Sequence, residues 1–205
     1  MFQKNKDIVK LDDEIFVIPN FISRDDLGPI VEYLENIDQN MFVSKAKNVW
    51  YNNKLTRPIQ QLIPIYEKMR NLVMPEYEIL PEISVTRLIK GESMYVHADS
   101  PGKNNKDLVT SDDPYETCHS IDYGLVLYLN DDYEGGEIYY PNRGIVYKPK
   151  CGDLVIHSSL EEYSHGVKEV LSGIRYVYSN FILLKGEKYI PKISLDKNFS
   201  GATGT

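Results

Sequence analysis

Two residues of the types that bind transition metals stand two positions apart in a β-prone stretch, His97 and Asp99. Side chains at i and i+2 of a strand point to the same face of a sheet, so one imidazole and one carboxylate would converge. A second imidazole, His165, opens a later β-prone run. Two imidazoles and one carboxylate can hold Fe(II) on one face and leave the opposite positions open for oxygen and a chelating ligand. The sequence therefore predicts a non-haem iron site.

An arginine ten residues after His165 is a candidate anion ligand. Arg175 lies in an alternating strand pattern beside apolar Ile174 and Val177. An inward-facing guanidinium there would need an anion, and its planar fork suits a carboxylate. The turn signal at residues 172–173 predicts that the two strands are neighbours, with the arginine and the metal ligand in one pocket.

Other interpretations of these residues stay open. With 30 acidic residues in 205, one His-x-Asp pair can arise by chance, and His97 would then be an ordinary surface or core histidine. His157 is a rival metal ligand, although packing in the core or behind the metal site is the favoured role. Cys118 beside His119 could form a thiolate–imidazole pair, but such pairs depend on spatial adjacency. A four-thiolate zinc site is excluded by the presence of only two cysteines.

Several stretches taken together carry a family resemblance. They are Arg87-Leu88-Ile89-Lys90-Gly91, His97-Ala98-Asp99, Tyr128-Leu129-Asn130, Gly135-Gly136-Glu137, Gly152-Asp153-Leu154, His165-Gly166-Val167 and Ser172-Gly173-Ile174-Arg175. This pattern resembles the catalytic core of the 2-oxoglutarate- and Fe(II)-dependent dioxygenases, and most of all their prolyl 4-hydroxylase branch. The likeness covers roughly residues 82–184, with weaker similarity from residue 14.

The resemblance implies roles for particular residues. His97, Asp99 and His165 would bind iron, Arg175 would bind the distal carboxylate of 2-oxoglutarate, and Tyr128 would hydrogen-bond the same carboxylate. The implied cofactors are Fe(II), 2-oxoglutarate and O2, with ascorbate as a reductant. Leu88 departs from the pattern, because many relatives have a cosubstrate-contacting tyrosine at that position.

The implied activity is hydroxylation of an unactivated C–H bond, with a prolyl residue of a protein or peptide as the expected target. Hydroxylation of another protein residue or of a free amino acid is the alternative target. Two further hypotheses are a catalytically weak jelly-roll module that only binds ligand, which Leu88 favours, and a cupin-like metal enzyme that does not use 2-oxoglutarate.

The amino-acid composition indicates which classes of binding partner and which location to expect. The net charge is −7 and no basic block occurs, which argues against a nucleic-acid partner. The two cysteines do not suggest a disulfide framework, so a cytoplasmic location is expected. No apolar signal segment or run of membrane length is present, so no membrane partner is expected.

The first 80 residues predict a supporting unit of strands and helices. A short strand covers residues 15–19, and Ser23 is a good N-cap for a helix over about 23–36. A strand or hairpin with a loop is expected over 40–54, where ordinary packing of Trp50 competes with a flap over the substrate. A second helix is expected over about 56–73, with Pro64 kinking it or lying near its first turn.

From residue 82 the apolar period changes from 3.6 to 2. Strands are predicted at 121–129, 153–157 and 174–184, with a hairpin formed by 137–140 and 145–147. Residues 100–120 are a long polar loop that could border a substrate groove. The expected fold is mainly β with flanking α: a double-stranded β-helix, or jelly roll, with the N-terminal helices packed on the sheet. A single domain is expected over residues 1–205, comprising helical support over about 14–80, a catalytic jelly roll over about 82–184 and a tail over about 185–205.

Overall fold

Short antiparallel strands make up most of the fold. The structure is a computed structural model, and it describes residues 8–44, 53–55, 59–80, 85–99 and 121–184. The first elements are β1 (Val9–Asp12), β2 (Ile15–Ile18), α1 (Arg24–Asn36), β3 (Phe42–Ser44), β4 (Asn53–Leu55), α2 (Ile63–Arg70) and β5 (Tyr77–Ile79). The remaining strands are β6 (Val85–Ile89), β7 (Met94–His97), β8 (Ile121–Tyr128), β9 (Glu134–Gly135), β10 (Ile138–Tyr140), β11 (Ile145–Tyr147), β12 (Leu154–Ser158), β13 (His165–Val167), β14 (Val170–Ser172) and β15 (Ile174–Leu184).

Two sheets contain most of these strands. Within the described residues, the larger sheet has the order β1-β2-β12-β8-β15-β6-β4-β3, and β5 also pairs with β15. The smaller sheet has the order β11-β10-β13-β7, and β9 pairs with β14 separately. Ile15 of the larger sheet packs with Ile138 and Tyr140 of the smaller one, so the two sheets are in contact.

Helix α1 begins where the sequence predicts. The Ser23 side chain accepts a hydrogen bond from the Asp26 backbone N–H at 3.2 Å, which satisfies one of the free donors of the first turn. Its apolar stripe, Leu27, Ile30 and Leu34, is buried in the main core. The predicted packing of this helix on the larger sheet is therefore confirmed.

The second helix is shorter than the predicted span of 56–73. A single 3-10 turn, Gln60–Leu62, precedes α2, and α2 ends at Arg70. Pro64 lies in the first turn of α2, where its missing N–H costs no intrahelical hydrogen bond. Leu72 and Val73 are buried beyond the helix, so their apolar character reflects contact with the core rather than helical continuation.

Period-two alternation in the central strands separates two buried faces. Leu154 and Ile156 of β12 join the core under the helices, whereas Val155 packs in a separate cluster with Tyr128 and Val177. His157 has the same parity as Val155 and lies on that second face. Arg175 likewise has the parity of Val177. The sequence therefore places His157 and Arg175 on the face that lies toward the smaller sheet.

The predicted hairpin of β10 and β11 is confirmed, with Tyr140 paired to Ile145 across a 3-10 turn at Pro141–Arg143. Strand β15 has the predicted bounds, 174–184. Strands β3 and β4 pair as a hairpin, whereas the rest of the proposed flap, including Trp50, lies outside the described residues. The loop at 100–120 and the tail at 185–205 also lie outside them. No helix among the described residues is long and apolar enough to span a membrane.

Candidate active site

His97 and Asp99 approach each other at the end of β7. The His97 Nδ1 lies 3.0 Å from the Tyr95 carbonyl oxygen, so Nδ1–H donates to it and the lone pair remains on Nε2. That Nε2 lies 3.7 Å from Asp99 Oδ1. Strand β7 ends at His97, so Asp99 follows the strand instead of sharing it as the i, i+2 argument assumed. The two side chains nevertheless converge.

Antiparallel pairing of β13 with β7 brings in the third group. His165 is directly opposite His97 in the register, and their ring centroids are 4.5 Å apart. The His165 Nε2 lies 4.0 Å from Asp99 Oδ1. One ligand atom from each of these three residues falls within 4.8 Å of the others, a spacing that a single metal ion could bridge. The sequence-predicted trio is therefore together in space, and its binding of iron stays a prediction.

The charge states of His165 and Asp99 suit a divalent cation. Burial holds the pKa of His165 well below its ordinary value, so its imidazole is neutral and can donate a lone pair. Burial alone would raise the pKa of the Asp99 carboxyl. The polar environment of the adjacent His165 ring and the hydrogen bond from His157 outweigh burial and lower that pKa below its usual range. Asp99 is therefore an anion at neutral pH.

A buried histidine–tyrosine pair lies behind Asp99. His157 is fully buried, and its Nε2 is 3.1 Å from Asp99 Oδ2. Because an ionised carboxylate only accepts, Nε2–H donates to it, and Nδ1 accepts from the Tyr140 hydroxyl at 2.7 Å. His157 is thus a positioning residue that leaves Asp99 Oδ1 toward His97 and His165. The rival interpretation of His157 as a metal ligand is disfavoured, since its Nε2 is already committed.

Gly124 provides the space for this contact. It lies directly opposite His157 in the β12–β8 register. A Cβ at this position would collide with His157 Nε2 and with Asp99 Oδ2. A residue without a side chain is therefore required on β8 at the point where Asp99 and His157 meet.

Arg175 is the second feature of the site. It is only 2% exposed, and its Nη2 donates to the Tyr128 hydroxyl at 3.1 Å. The guanidinium also lies 4.9 Å from the centre of the Tyr128 ring. No carboxylate in the described part of the chain forms an ion pair with Arg175, and its Nε has no hydrogen-bond partner there. A buried guanidinium without a counter-ion fits an anionic ligand.

Tyr140 links the arginine end of the site to the metal end. Burial raises its pKa well above the ordinary value, and the nearby Tyr128 and Asp99 raise it further. The Tyr140 ring is 5.8 Å from that of His165. Tyr140 therefore lies near both Tyr128, the partner of Arg175, and the metal-ligand candidates His165 and Asp99. Neither Tyr140 nor Gly124 belongs to the residues predicted from the sequence.

The predicted pairing of the His165 and Arg175 strands is wrong. β13 lies in the smaller sheet and β15 in the larger one. A further strand, β14, pairs with β9 between them, and the 172–173 turn joins β14 to β15. The two residues approach the site because the sheets are in contact, not because their strands are neighbours.

Sequence comparison finds prolyl hydroxylases over this region. Prolyl 3-hydroxylase 1 of Homo sapiens is 29% identical over 142 residues, which are 64% of this chain and 19% of that protein. Prolyl 3-hydroxylase 2 of Homo sapiens is 44% identical over 59 residues, 26% of this chain and 8% of that protein. The chain thus spans less than a fifth of the length of these curated relatives. No family model matches the chain.

Two solved structures share the architecture over nearly their whole length. A viral collagen prolyl hydroxylase from Paramecium bursaria Chlorella virus 1, solved as a 2-oxoglutarate complex, has a TM-score of 0.60 at 19% identity. The aligned region covers 84% of this chain and 96% of the viral chain. A prolyl-4-hydroxylase from Pseudomonas putida has a TM-score of 0.61 at 15% identity, covering 84% of this chain and 94% of its own.

The chain has the prolyl hydroxylase fold. The predicted jelly roll with flanking helices is confirmed, as is the resemblance to the 2-oxoglutarate- and Fe(II)-dependent dioxygenases of the prolyl hydroxylase branch. The prolyl 4-hydroxylase likeness is one of fold, whereas the sequence similarity is to prolyl 3-hydroxylases.

The possible pair of Cys118 and His119 lies outside the described residues.

Proposed function

We propose that this protein is a 2-oxoglutarate- and Fe(II)-dependent dioxygenase that hydroxylates a prolyl residue in a protein or peptide. The observation that carries the proposal is a two-histidine, one-carboxylate cluster in the same fold as a buried arginine that has no counter-ion among the described residues, with Tyr140 lying near both groups. A metal cluster alone would fit many enzymes, and a buried arginine alone would fit many anion sites. Their combination matches a ligand that chelates metal at one end and has a carboxylate at the other.

The donor set fits ferrous iron. The imidazole nitrogens of His97 and His165 and the Oδ1 of Asp99 would hold the ion. When bound, Fe(II) and 2-oxoglutarate supply the oxidising chemistry: O2 is consumed, one oxygen atom enters the C–H bond, and the other leaves in succinate, with release of CO2. His157 and Tyr140 hold the Asp99 carboxylate in place during this reaction.

Arg175 and Tyr128 would hold the distal carboxylate of 2-oxoglutarate. The guanidinium is charged at all physiological pH values and offers two parallel N–H donors to the two carboxylate oxygens. Burial raises the pKa of Tyr128, although Arg175 opposes this, so its hydroxyl remains protonated and can donate. The cosubstrate would thereby be fixed at one end while its keto acid faces the metal ligands.

The prolyl target is supported by the relatives, since both the sequence and the structural comparisons find prolyl hydroxylases. Hydroxylation at C4 is the primary proposal, and hydroxylation at C3 is the second candidate because the sequence relatives are prolyl 3-hydroxylases. Use of ascorbate as a reductant, a cytoplasmic location and the absence of nucleic-acid or membrane partners remain proposals from the sequence.

The test is a coupled measurement of succinate and hydroxyproline. Purified protein with Fe(II), 2-oxoglutarate, ascorbate and a library of proline-containing peptides should release succinate and give peptides heavier by one oxygen. Chromatography of the hydrolysed products separates 4-hydroxyproline from 3-hydroxyproline. His97→Ala and Arg175→Ala should abolish both signals. Equal turnover in wild type and both variants would refute the assignment.

A further inference from the structure

Tyr133 carries a buried hydroxyl that has no hydrogen-bond partner among the described residues. It lies in the turn after β8 and is 5% exposed, and its Oη forms no hydrogen bond with any described residue. Buried hydroxyls are normally paired, because removing them from water without a partner is unfavourable. An unpaired one next to a predicted ligand site therefore calls for an explanation.

The hydroxyl belongs to the arginine end of the site. A Cβ placed on Gly136 would lie 2.9 Å from Tyr133 Cε2 and 3.1 Å from Arg175 Cδ, so both side chains pass over the same glycine. Burial raises the pKa of Tyr133 and Arg175 partly opposes it, which keeps the hydroxyl protonated at neutral pH. The Arg175 Nε is also without a partner. Two unused donors thus lie beside each other in a buried region.

The guanidinium of Arg175 has an apolar neighbour on one side and a tyrosine hydroxyl on another. Across the β15–β6 pair Arg175 faces Leu88, which is buried and offers no polar atom. Leu88 packs in one cluster with Tyr133, Val167 and Val170. Tyr128 occupies a different side, where its oxygen accepts from Arg175 Nη2. Tyr133 therefore brings a hydroxyl to the Leu88 side of the guanidinium.

We infer that Tyr133 is a further 2-oxoglutarate-binding residue, whose O–H donates to the distal carboxylate that Arg175 holds. A carboxylate has about four lone-pair sites and a bidentate arginine uses two of them, so acceptor capacity remains for a tyrosine. The bound anion would satisfy both the Tyr133 hydroxyl and Arg175. This inference rests on the proposed function, and it adds a contact that the sequence motifs did not assign.

Lys148 keeps the Tyr133 ring in place. Its Nζ lies 4.2 Å from the ring centre and donates to the Tyr133 carbonyl oxygen at 3.2 Å. The ring is thus fixed by a cation on its face and by Leu88 beside it. A hydroxyl held in this way would need little reorganisation to receive an anion.

The experiment compares two phenylalanine variants. Tyr133→Phe removes only the hydroxyl. Tyr176→Phe is a matched control, because Tyr176 is also buried with an unpaired hydroxyl and is adjacent to Arg175, but it packs on the helix side of β15. Calorimetric titration with 2-oxoglutarate under nitrogen, with Mn(II)-loaded protein, measures affinity without turnover.

Tyr133→Phe should weaken 2-oxoglutarate binding about tenfold, as expected for a lost hydrogen bond to a charged group. Tyr176→Phe should bind as wild type does. Pyruvate, which has the keto acid but no distal carboxylate, should bind equally to wild type and to Tyr133→Phe, a result that general loosening of the site would not give. Unchanged 2-oxoglutarate affinity in Tyr133→Phe would overturn the inference while the proposed function stands. Failure of wild type to bind 2-oxoglutarate would overturn both.

Discussion

The two oxygens of one carboxylate have different tasks at the metal cluster. Asp99 Oδ2 accepts from His157, and Oδ1 faces the nitrogens of His97 and His165. The residue types and spacing of His97, Asp99, His165 and Arg175 are visible in the sequence. The contact of Tyr140 with His157 is not visible in the sequence, because it depends on contact between the two sheets and leaves no local spacing pattern.

Removing the His157 hydrogen bond should weaken metal binding. His157→Phe keeps an aromatic ring of similar shape but loses the donor to Asp99, so the carboxylate can rotate. We expect the affinity for Mn(II), measured by electron paramagnetic resonance, to fall about 10–100-fold, as is usual for partners of metal ligands. Tyr140→Phe should give a smaller loss, since it acts through His157. Wild-type Mn(II) affinity in His157→Phe would contradict the positioning role.

Among the secondary-structure elements, apolar alternation and helix caps predicted strands and helix starts well. Helix ends and strand pairing were predicted less well. The strands at 121–129 and 174–184 and the Ser23 cap follow from local patterns. The end of α2 and the partner of β13 do not, because buried residues after a helix mimic helical periodicity and because strand pairing is decided by tertiary contact.

The close approach of Asp99 and His157 should depend on Gly124. Gly124→Ala introduces a methyl group that must displace one of them, so Mn(II) affinity should fall by at least about tenfold. Gly144→Ala is the control: its φ of +65° makes it unfavourable by about 1 kcal/mol, but nothing lies near its Cβ. The control should lose stability and keep its metal affinity. Equal Mn(II) affinity in both variants would rule out this role for Gly124.

Asp153 should be a structural anchor for the β11–β12 turn. Its buried carboxylate accepts from the Asn20 N–H at 3.2 Å, the Lys150 N–H at 2.9 Å and the Tyr147 hydroxyl at 2.7 Å. Asp153→Ala leaves these donors unpaired and should lower the free energy of unfolding by at least about 2 kcal/mol in urea denaturation. Asp13→Ala removes only an exposed pair with Lys10 and should change it by less than about 0.5 kcal/mol. Similar losses in both variants would disprove the anchor.

The whole molecule combines a jelly roll with a tyrosine-rich interior. The sequence predicted the fold class because two N-terminal helices precede many short alternating strands. The chain has sixteen tyrosines. Several of them, including Tyr128, Tyr133 and Tyr140, are buried between the sheets or beside the site. The single-domain organisation over residues 1–205 remains a prediction.

Buried tyrosines should make the fold sensitive to alkali. Burial raises the pKa of Tyr128, Tyr133 and Tyr140 above the unfolded value of about 10. Their folded forms keep a proton that the unfolded chain loses, so stability is full below that value and falls as the pH rises above it. As the pH is raised, the tyrosinate absorbance of these three buried tyrosines should therefore appear together with loss of the β-sheet circular dichroism signal. Ionisation of all tyrosines near pH 10 with an unchanged fold would contradict this.

The most direct test of the account is an anaerobic titration of the protein with Fe(II) followed by 2-oxoglutarate, observed by visible absorption. Chelation of ferrous iron by the keto acid should produce a charge-transfer band in wild type that saturates at one equivalent. His97→Ala should lose the band, and Arg175→Ala should need far more 2-oxoglutarate to develop it. A wild-type protein that binds Fe(II) but gives no band at saturating 2-oxoglutarate would contradict the account.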